Sequence, residues 1–499
     1  MGNLHVEVLR IRQPVGGTAD RDRSGRRAGA SRPDRERRVE RRQCRAGHPL
    51  RRHPDPLRGG GIRPGRDGRG AVPLRRDQLS DRGGRVLPAD RSVGGPAPHR
   101  RLGHGSGREP APGRTGTPMT MQGTRVVAVF VFLEQGLSLE SWAGGRSTRN
   151  SPSPYGYAAA SDAVRMSWST DRDESGIGRR LRRAVYRLLG FDLVHAWRNR
   201  AALNEADVVW THTENEALAA LALLQLLRNR RTRVIAQSVW LWDDWGSRSS
   251  ARRRAHLRLL DRAAVEITLS EYNRDHAREV RGTQEVYFLP FGAAINESVA
   301  ARIREDPVDG AETYVLAIGS DRDRDWETLV AAARLLPDLR FRVATLSRRF
   351  PSDLPPNLAV TPAGSLEESY RMYARADLVV LPLKPNLHAS GCTVAVEAQA
   401  FDVPLVTTDV GGIRSYLDGG VHLYEAGDAT SLAAVIAAAA RTPRARTGSG
   451  AQFLRDAGLT EQDYAARMLL VTRWVVEGGG FPVQVEALAP LRHVLDQER

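Results

Sequence analysis

From residue 125 onward, short unbroken apolar runs alternate with longer amphipathic ones. Runs at 125–133, 207–211, 234–239, 265–269 and 285–289 are rich in β-branched residues and predict buried strands. Between them, 158–164 predicts the start of a helix and 214–228 a helix with an Ala/Leu face. A second set follows: strands at 313–318, 340–346, 378–383, 403–407 and 421–424, with helices at 326–336, 366–375, 394–401 and 430–440. Strands alternating with helices predict parallel sheets covered on both faces. Two such sets, joined near 296–309, predict an α/β chain of two doubly wound, Rossmann-like domains facing across a cleft. Their expected spans are 119–300 and 301–475, with 476–499 as a C-terminal tail. Ligands of open parallel sheets sit beyond the carboxyl ends of the strands, so the strand-end loops are where chemistry is sought.

Composition changes the picture only at the start of the chain. The net charge of +16 resides wholly in residues 1–118, which hold 28 Arg, no Lys and 12 acidic residues; the remainder has 46 basic and 46 acidic residues and is neutral. The first segment has no Phe, Trp or Tyr and is crowded with Gly and Pro, so it cannot build a core and is expected to be disordered. A nucleic-acid-binding arm fits poorly, because no aromatic residues are interleaved to stack on bases, and no nucleic-acid partner is expected. A targeting peptide fits poorly too, for lack of an apolar stretch. A start codon placed too early in a GC-rich stretch is favoured over a genuine disordered arm, since one Lys, Lys384, stands against 73 Arg in the whole chain. Translation is then expected from Met119 or Met121. The remaining length, about 380 residues, suits two domains. Two cysteines, Cys44 and Cys392, make neither a disulfide framework nor a zinc spacing, so a cytoplasmic setting is expected.

The stretch ASGCTVAVEAQAFDVPLVTTDVGGI, 389–413, carries the most chemistry. The turn at 388–393 follows a predicted strand, and Cys392 or Thr393 opens a helix. Amides at a helix start carry partial positive charge and suit phosphate, and Gly391 lets a ligand approach the backbone. Glu397, about one turn in, would repel phosphate but is suited to accept hydrogen bonds from sugar hydroxyls. An ordinary capped helix with a solvent-facing Glu would look the same from these residues alone.

The stretch resembles the donor-binding motif of retaining GT-B glycosyltransferases of family four, E-G-F-G-x-x-x-x-E followed by G-x-P-V-V-x-[ST]-x-x-G-G. Glu397 falls on the second acid, which in the family hydrogen-bonds the nucleotide ribose; the first acid falls on Ala389, leaving Ser390 or His388 for its sugar-ring role. The resemblance implies that the turn Ser390, Gly391, Cys392 and Thr393 holds the diphosphate. A second match, YVLAIGSDRDRDWETLVAA, is similar to the family's phosphate-binding segment. Arg324 stands at its Lys position, and Arg322 substitutes for an Arg replaced here by Ser320. Arg supplies a bidentate fork for a diphosphate, although interleaved Asp would equally fit a solvated, charge-balanced loop. A third match, ADVVWTHTENEAL, places His212 where the family's histidine faces the transferred sugar. LPFGAAINES is similar to the family's interdomain linker. The resemblance covers roughly 124–475.

It implies transfer of a sugar from a nucleoside diphosphate to a hydroxyl acceptor (glycan, lipid-linked or small molecule) with retained configuration. His212 and Arg324 take the catalytic roles, and Arg322, Ser390, Gly391, Cys392, Thr393 and Glu397 bind the donor. Beyond the nucleotide-sugar co-substrate no cofactor is implied, and no metal. No D-x-D behind a strand is read in a metal-binding setting; Asp243–Asp244, in WLWDDWG, reads as an acceptor-side loop or packing. An inverting transferase with a base among Asp162, Asp173 and Glu214, or a nucleotide-sugar epimerase of the same architecture, would share the second-domain features. Finally, 176–200 sets Arg179, Arg180, Arg183 and Arg187 opposite Leu181, Val185, Leu188 and Leu189. Such a stretch suits peripheral contact with an anionic membrane at the inner face of the cell membrane, or a solvated helix packed on the first sheet.

Overall fold

The computed structural model describes residues 126–497, apart from 145–149, 306–312, 363–364 and 443–447. The expectation for residues 1–118 falls outside the described residues. Among the described residues, twelve strands form two six-stranded, wholly parallel sheets. The first contains β1 (Ala128–Phe132), β2 (Arg165–Trp168), β3 (Val208–Thr211), β4 (Arg233–Ser238), β5 (Val265–Thr268) and β6 (Val286–Phe288), in the order 2-1-3-4-5-6. The second contains β7 (Tyr314–Ile318), β8 (Phe341–Ala344), β9 (Leu358–Val360), β10 (Ala376–Leu381), β11 (Leu405–Thr408) and β12 (His422–Tyr424), in the order 12-11-10-7-8-9. Each order reverses once, between β1 and β3 and between β10 and β7. Those reversals open the crevices in which doubly wound folds hold ligands.

The central strands are the ones the sequence declares. Every residue of β1, β3, β5, β7 and β11 is buried, because helices cover both faces. The expected helix at 158–164 is absent. Pro154–Ala160 forms a 3-10 turn instead, with Tyr155 and Gly156 at φ +57° and +71°, and β2 follows. Strand β2 is a sheet edge whose residues alternate between exposed and half-buried, so it offered no apolar run. The stretch 176–200 is also not one helix: Gly190 closes Gly176–Leu189 in the left-handed conformation, and Leu193–Arg198 follows.

The end of the chain departs from the expected domain spans. The helix Glu461–Glu477, read mostly as second-domain, packs on the first sheet: Trp210 Nε1 donates to Thr472 Oγ1 (2.7 Å) and the Tyr464 hydroxyl to Gln237 Oε1 (2.6 Å). The expected tail is integral to the same core, where Val485, Leu491, Val494 and Leu495 are buried. Buried Arg467 fastens it by donating to the carbonyls of Gly458, Val485, Ala487 and Ala489. Among the described residues no helix is long and apolar enough to cross a membrane.

Candidate active site

Two loops meet at the crevice of the second sheet, 319–325 after β7 and 382–391 after β10. They are zipped by backbone bonds from Asp325 N to Pro382 O (2.9 Å) and Lys384 N to Asp323 O (2.8 Å). Asp325 also caps the helix Trp326–Leu335 by accepting from Thr328 N, which fixes the loop's exit. Arg324 is thereby drawn inside, 2% exposed, and its Nη1 donates to Ser390 Oγ (3.0 Å). Ser390 in turn donates to Asp321 Oδ1 (2.7 Å). Gly391, at φ +78°, opens the helix Cys392–Ala400, and a methyl group there would lie 2.7 Å from Leu381 Cδ1 and 2.9 Å from Arg324 Nη1. Both the backbone angle and the buried cation therefore demand glycine.

The structure thus gathers Arg324, Ser390, Gly391, Cys392 and Thr393 in one turn. The Cys392 amide is engaged within it, donating to Ala389 O at 3.2 Å. Glu397 lies farther along the same helix, its Oε2 accepting from the Tyr373 hydroxyl (2.9 Å). Arg322 points elsewhere, donating from Nη1 to Asp244 Oδ2 (2.7 Å) and from Nε to Asp323 Oδ2 (3.3 Å). Burial opposes its charge, but Asp244 outweighs burial and raises its pKa further.

Sequence reasoning missed an acidic cluster beside this turn. Asp321 and Asp323 form a D-x-D in the loop that follows β7, a pair that was not read in a metal-binding setting. His388, 3% exposed, hydrogen-bonds through Nδ1 to Asp243 Oδ2 (2.7 Å), while Asp243 Oδ1 accepts from Leu387 N (2.5 Å). Asp243 and Asp244 thus bind second-domain residues directly. Burial pushes the His388 ring down, but Asp243 and Asp321 outweigh it and raise it to about 9. Burial pushes Asp321 up, and His388, Arg324 and the Asp323 amide overcome this to hold it well below the usual carboxylate range. The cluster's partners lie far apart in the chain, so the only available signal was the D-x-D spacing after a strand.

At the crevice of the first sheet, His212 follows β3 directly. Thr213 caps the next helix, Glu214–Leu226, in a capping box with Glu216, which fixes the strand-to-helix corner. The His212 ring is enclosed by aromatic groups. Tyr155 stacks on it with centroids 3.3 Å apart, and Phe291 and Tyr464 present their edges. Its Nδ1 hydrogen-bonds the Tyr157 hydroxyl (2.9 Å), and Gln237 Nε2 donates to its carbonyl (2.7 Å). Burial alone pushes the ring down to about 3, so His212 is neutral. It can accept or donate a hydrogen bond but offers no charge.

Residues 300–441 match the family model described as glycosyl transferases group 1. Searched by sequence, the curated proteins contain no match. Among solved structures, an α,α-trehalose-phosphate synthase (UDP-forming) from Burkholderia vietnamiensis is similar at TM-score 0.54 and 14% identity, over 70% of this chain and 99% of its own. A sucrose-phosphate synthase from Thermosynechococcus elongatus is similar at TM-score 0.53 and 16% identity, over 70% and 100%. Anabaena HepE in complex with UDP and glucose follows at TM-score 0.50 and 15% identity, over 69% and 99%. The paired parallel sheets are the GT-B architecture, residues 300–441 match the group 1 glycosyl transferase family, and the chain is a glycosyltransferase.

Proposed function

We propose that the enzyme moves a sugar from a nucleoside-diphosphate sugar to an acceptor hydroxyl with retention of anomeric configuration. The observation that carries this reading is Arg324, buried beneath the Gly391 turn and held by Ser390, at the switch point of the second sheet. The bond from the anomeric carbon to the diphosphate oxygen breaks, and its electron pair goes to the diphosphate. The acceptor oxygen bonds the same face of that carbon, and its proton passes to a diphosphate oxygen. A fixed guanidinium and the first-turn amides oppose the charge that grows on the leaving group, and Glu397 accepts from the nucleotide ribose. His212, neutral, serves the sugar hydroxyls once Tyr155 moves aside.

A similar fold described in complex with UDP and glucose, and another described as UDP-forming, support a nucleoside diphosphate as leaving group. The carboxylates suited to an inverting base are poorly disposed for it. Glu214 accepts from the amides of Val239 and Trp240 (3.0 and 3.2 Å), and Asp162 and Asp173 are exposed. The test is a thermal-shift panel of nucleoside diphosphates and their sugars on the full chain, followed by proton NMR of the product's anomeric centre. At a hundredfold excess over Kd, a true donor stabilises by about 2.7 kcal/mol. A panel without any shift removes the donor reading, and an inverted product removes retention.

We further infer that the helix Gly176–Leu189 meets an anionic membrane surface. The alternative, an apolar side packed on the first sheet, accounts for only part of the helix: Leu189 packs against the first-domain core and Val185 and Tyr186 are half-buried, whereas Ile177, Leu181 and Leu188 are 79%, 63% and 75% exposed among the arginines. Its C-terminal end is pinned by Arg252, which donates to the carbonyls of Arg187 and Leu188. Salt-sensitive co-sedimentation with anionic vesicles, reduced by about 1 kcal/mol for each of Arg179, Arg180 and Arg183 changed to Gln, is expected. Equal recovery in the supernatant with anionic and neutral vesicles would overturn it.

A further inference from the structure

We propose that Asp321, Asp323 and His388 bind one divalent cation at the carboxyl ends of β7 and β10. One oxygen of each carboxylate and a ring nitrogen of His388 lie within 4.8 Å of one another. His388 Nε2 is 3.8 Å from Asp321 Oδ2 and 3.8 Å from Asp323 Oδ2. That separation is too long for a hydrogen bond. One ion with bonds of about 2.1–2.2 Å spans it at an angle near 120°. The second observation is the nitrogen itself: His388 is 3% exposed, and its Nε2 has no hydrogen-bond partner.

The surroundings orient all three donors. Asp243 holds Nδ1 at 2.7 Å, the carboxylate–imidazole arrangement that fixes the tautomer of metal-bound histidines. With Nδ1 engaged by Asp243, Nε2 is the nitrogen that faces the two carboxylate oxygens, which call for a positive charge between them. Asp321 Oδ1 is occupied by Ser390 Oγ (2.7 Å) and the Asp323 amide (2.9 Å), which turns Oδ2 toward the ring. The wider charge balance agrees. Four carboxylates, Asp243, Asp244, Asp321 and Asp323, face two guanidiniums, Arg322 and Arg324, so acids outnumber arginines by two in the cluster. A divalent ion neutralises that excess. Asp323, with a side chain 21% exposed, is the open side through which an ion enters.

Two carboxylates and one imidazole suit Mn²⁺ or Zn²⁺ better than a purely oxygen-seeking ion, and three protein donors leave coordination positions open. Because Ser390 of the Gly391 turn touches Asp321, a diphosphate oxygen can fill one of them. That bridging role rests on the donor reading of the same turn; binding of the ion does not. The ion also explains how two acids can stand beside a site for an anion.

The experiment titrates the full-length, chelator-stripped chain with MnCl₂ alone, following free Mn²⁺ by electron paramagnetic resonance. One equivalent bound per chain is expected, weakened at least 30-fold in Asp323→Asn and His388→Gln and unchanged in Asp409→Asn, an acid paired with Arg414 elsewhere. Circular dichroism establishes that the variants are folded. If one is not, pulsed resonance on Mn²⁺ bound to the wild type reports an imidazole nitrogen without any substitution. No binding, or bound Mn²⁺ without nitrogen coupling, overturns the proposal. Adding UDP separates the two readings. Mn²⁺ binding without UDP binding keeps the cation and removes the donor reading, and UDP binding without Mn²⁺ binding does the reverse.

Discussion

His212 and His388 are both buried in strand-end loops at the crevice of a six-stranded sheet, yet their surroundings push their pKa values in opposite directions. His212 stands among Tyr155, Tyr157, Phe291 and Tyr464, and burial alone drives it down to about 3. His388 is opposed by the same burial, but the carboxylates of Asp243 and Asp321 drive it up to about 9. Depth sets the cost of a charge, and partners decide whether it is met. The first domain therefore presents a neutral, aromatic wall suited to sugar hydroxyls and ring faces. The second presents fixed charges suited to a leaving group.

The division is broken most severely at Arg324. Arg324→Ala removes the buried cation under the Gly391 turn, and a fall in kcat of about 10²–10³, roughly 3–4 kcal/mol, is expected from losing one preorganised charge. The loss should fall on kcat more than on the donor KM, since the leaving group gains charge only in the transition state. Steady-state kinetics on both parameters decide it, and an effect confined to KM would return Arg324 to ground-state binding. Next in size is Glu397→Gln. It should weaken donor binding by about 1–3 kcal/mol in calorimetry, the scale of a hydrogen bond to a charged acceptor. Unchanged affinity in the folded variant would take Glu397, bonded here by Tyr373, out of the site.

On the neutral side the comparison is sharpened by pH. The folded pKa of His212, about 3, lies below its ordinary 6.5, so the unfolded chain binds the extra proton. Its contribution to stability is complete above pH 6.5 and is lost as pH falls toward 3, at about 1.4 kcal/mol per unit. Relative to His212→Gln, the wild type should lose about 2 kcal/mol of stability between roughly pH 7 and 5. Urea midpoints at the two values measure this, and a difference that stays constant would mean that the ring is not shielded as its neighbours imply.

These contrasts show what was legible in the sequence. Central strands such as β1 and β10 announce themselves because burial on both faces demands an unbroken apolar run. Edge strand β2, Arg-Met-Ser-Trp, escapes because one of its faces meets solvent and the other is only half-buried. The Arg324–Ser390–Gly391 group was readable because each member lies in a motif whose local order reveals it. The pairing of His388 with Asp243, 145 residues apart and from different domains, depends on how the domains meet, and no local pattern carries that. The same holds for the helix Glu461–Glu477, whose amphipathic pattern shows that it packs but not on which sheet. Asp321 and Asp323 were visible, but interleaved arginines made them resemble a balanced surface loop.

The smallest effect in free energy comes from Tyr155, and it probes what keeps His212 neutral. Tyr155 stacks on His212 at an interplanar angle of 12° and holds φ at +57°, a region that costs a side chain roughly 1–2 kcal/mol. An aromatic pair returns about 0.5–1.5 kcal/mol beyond its burial. Tyr155→Gly relieves the backbone while losing the stack, so its net effect on stability should stay within about 1 kcal/mol. The ring beneath should respond far more than the fold. With Tyr155 gone, water reaches His212, and its pKa should climb from about 3 toward 6.5 by more than one unit, read from its Hε1 resonance across a pH titration. A resonance that still fails to titrate above pH 5 would place the shielding with Phe291 and Tyr464 rather than Tyr155. Tyr155 would then be a wall of the site, and the strained turn at 155–156 would owe its shape to Glu461, which already crowds Gly156.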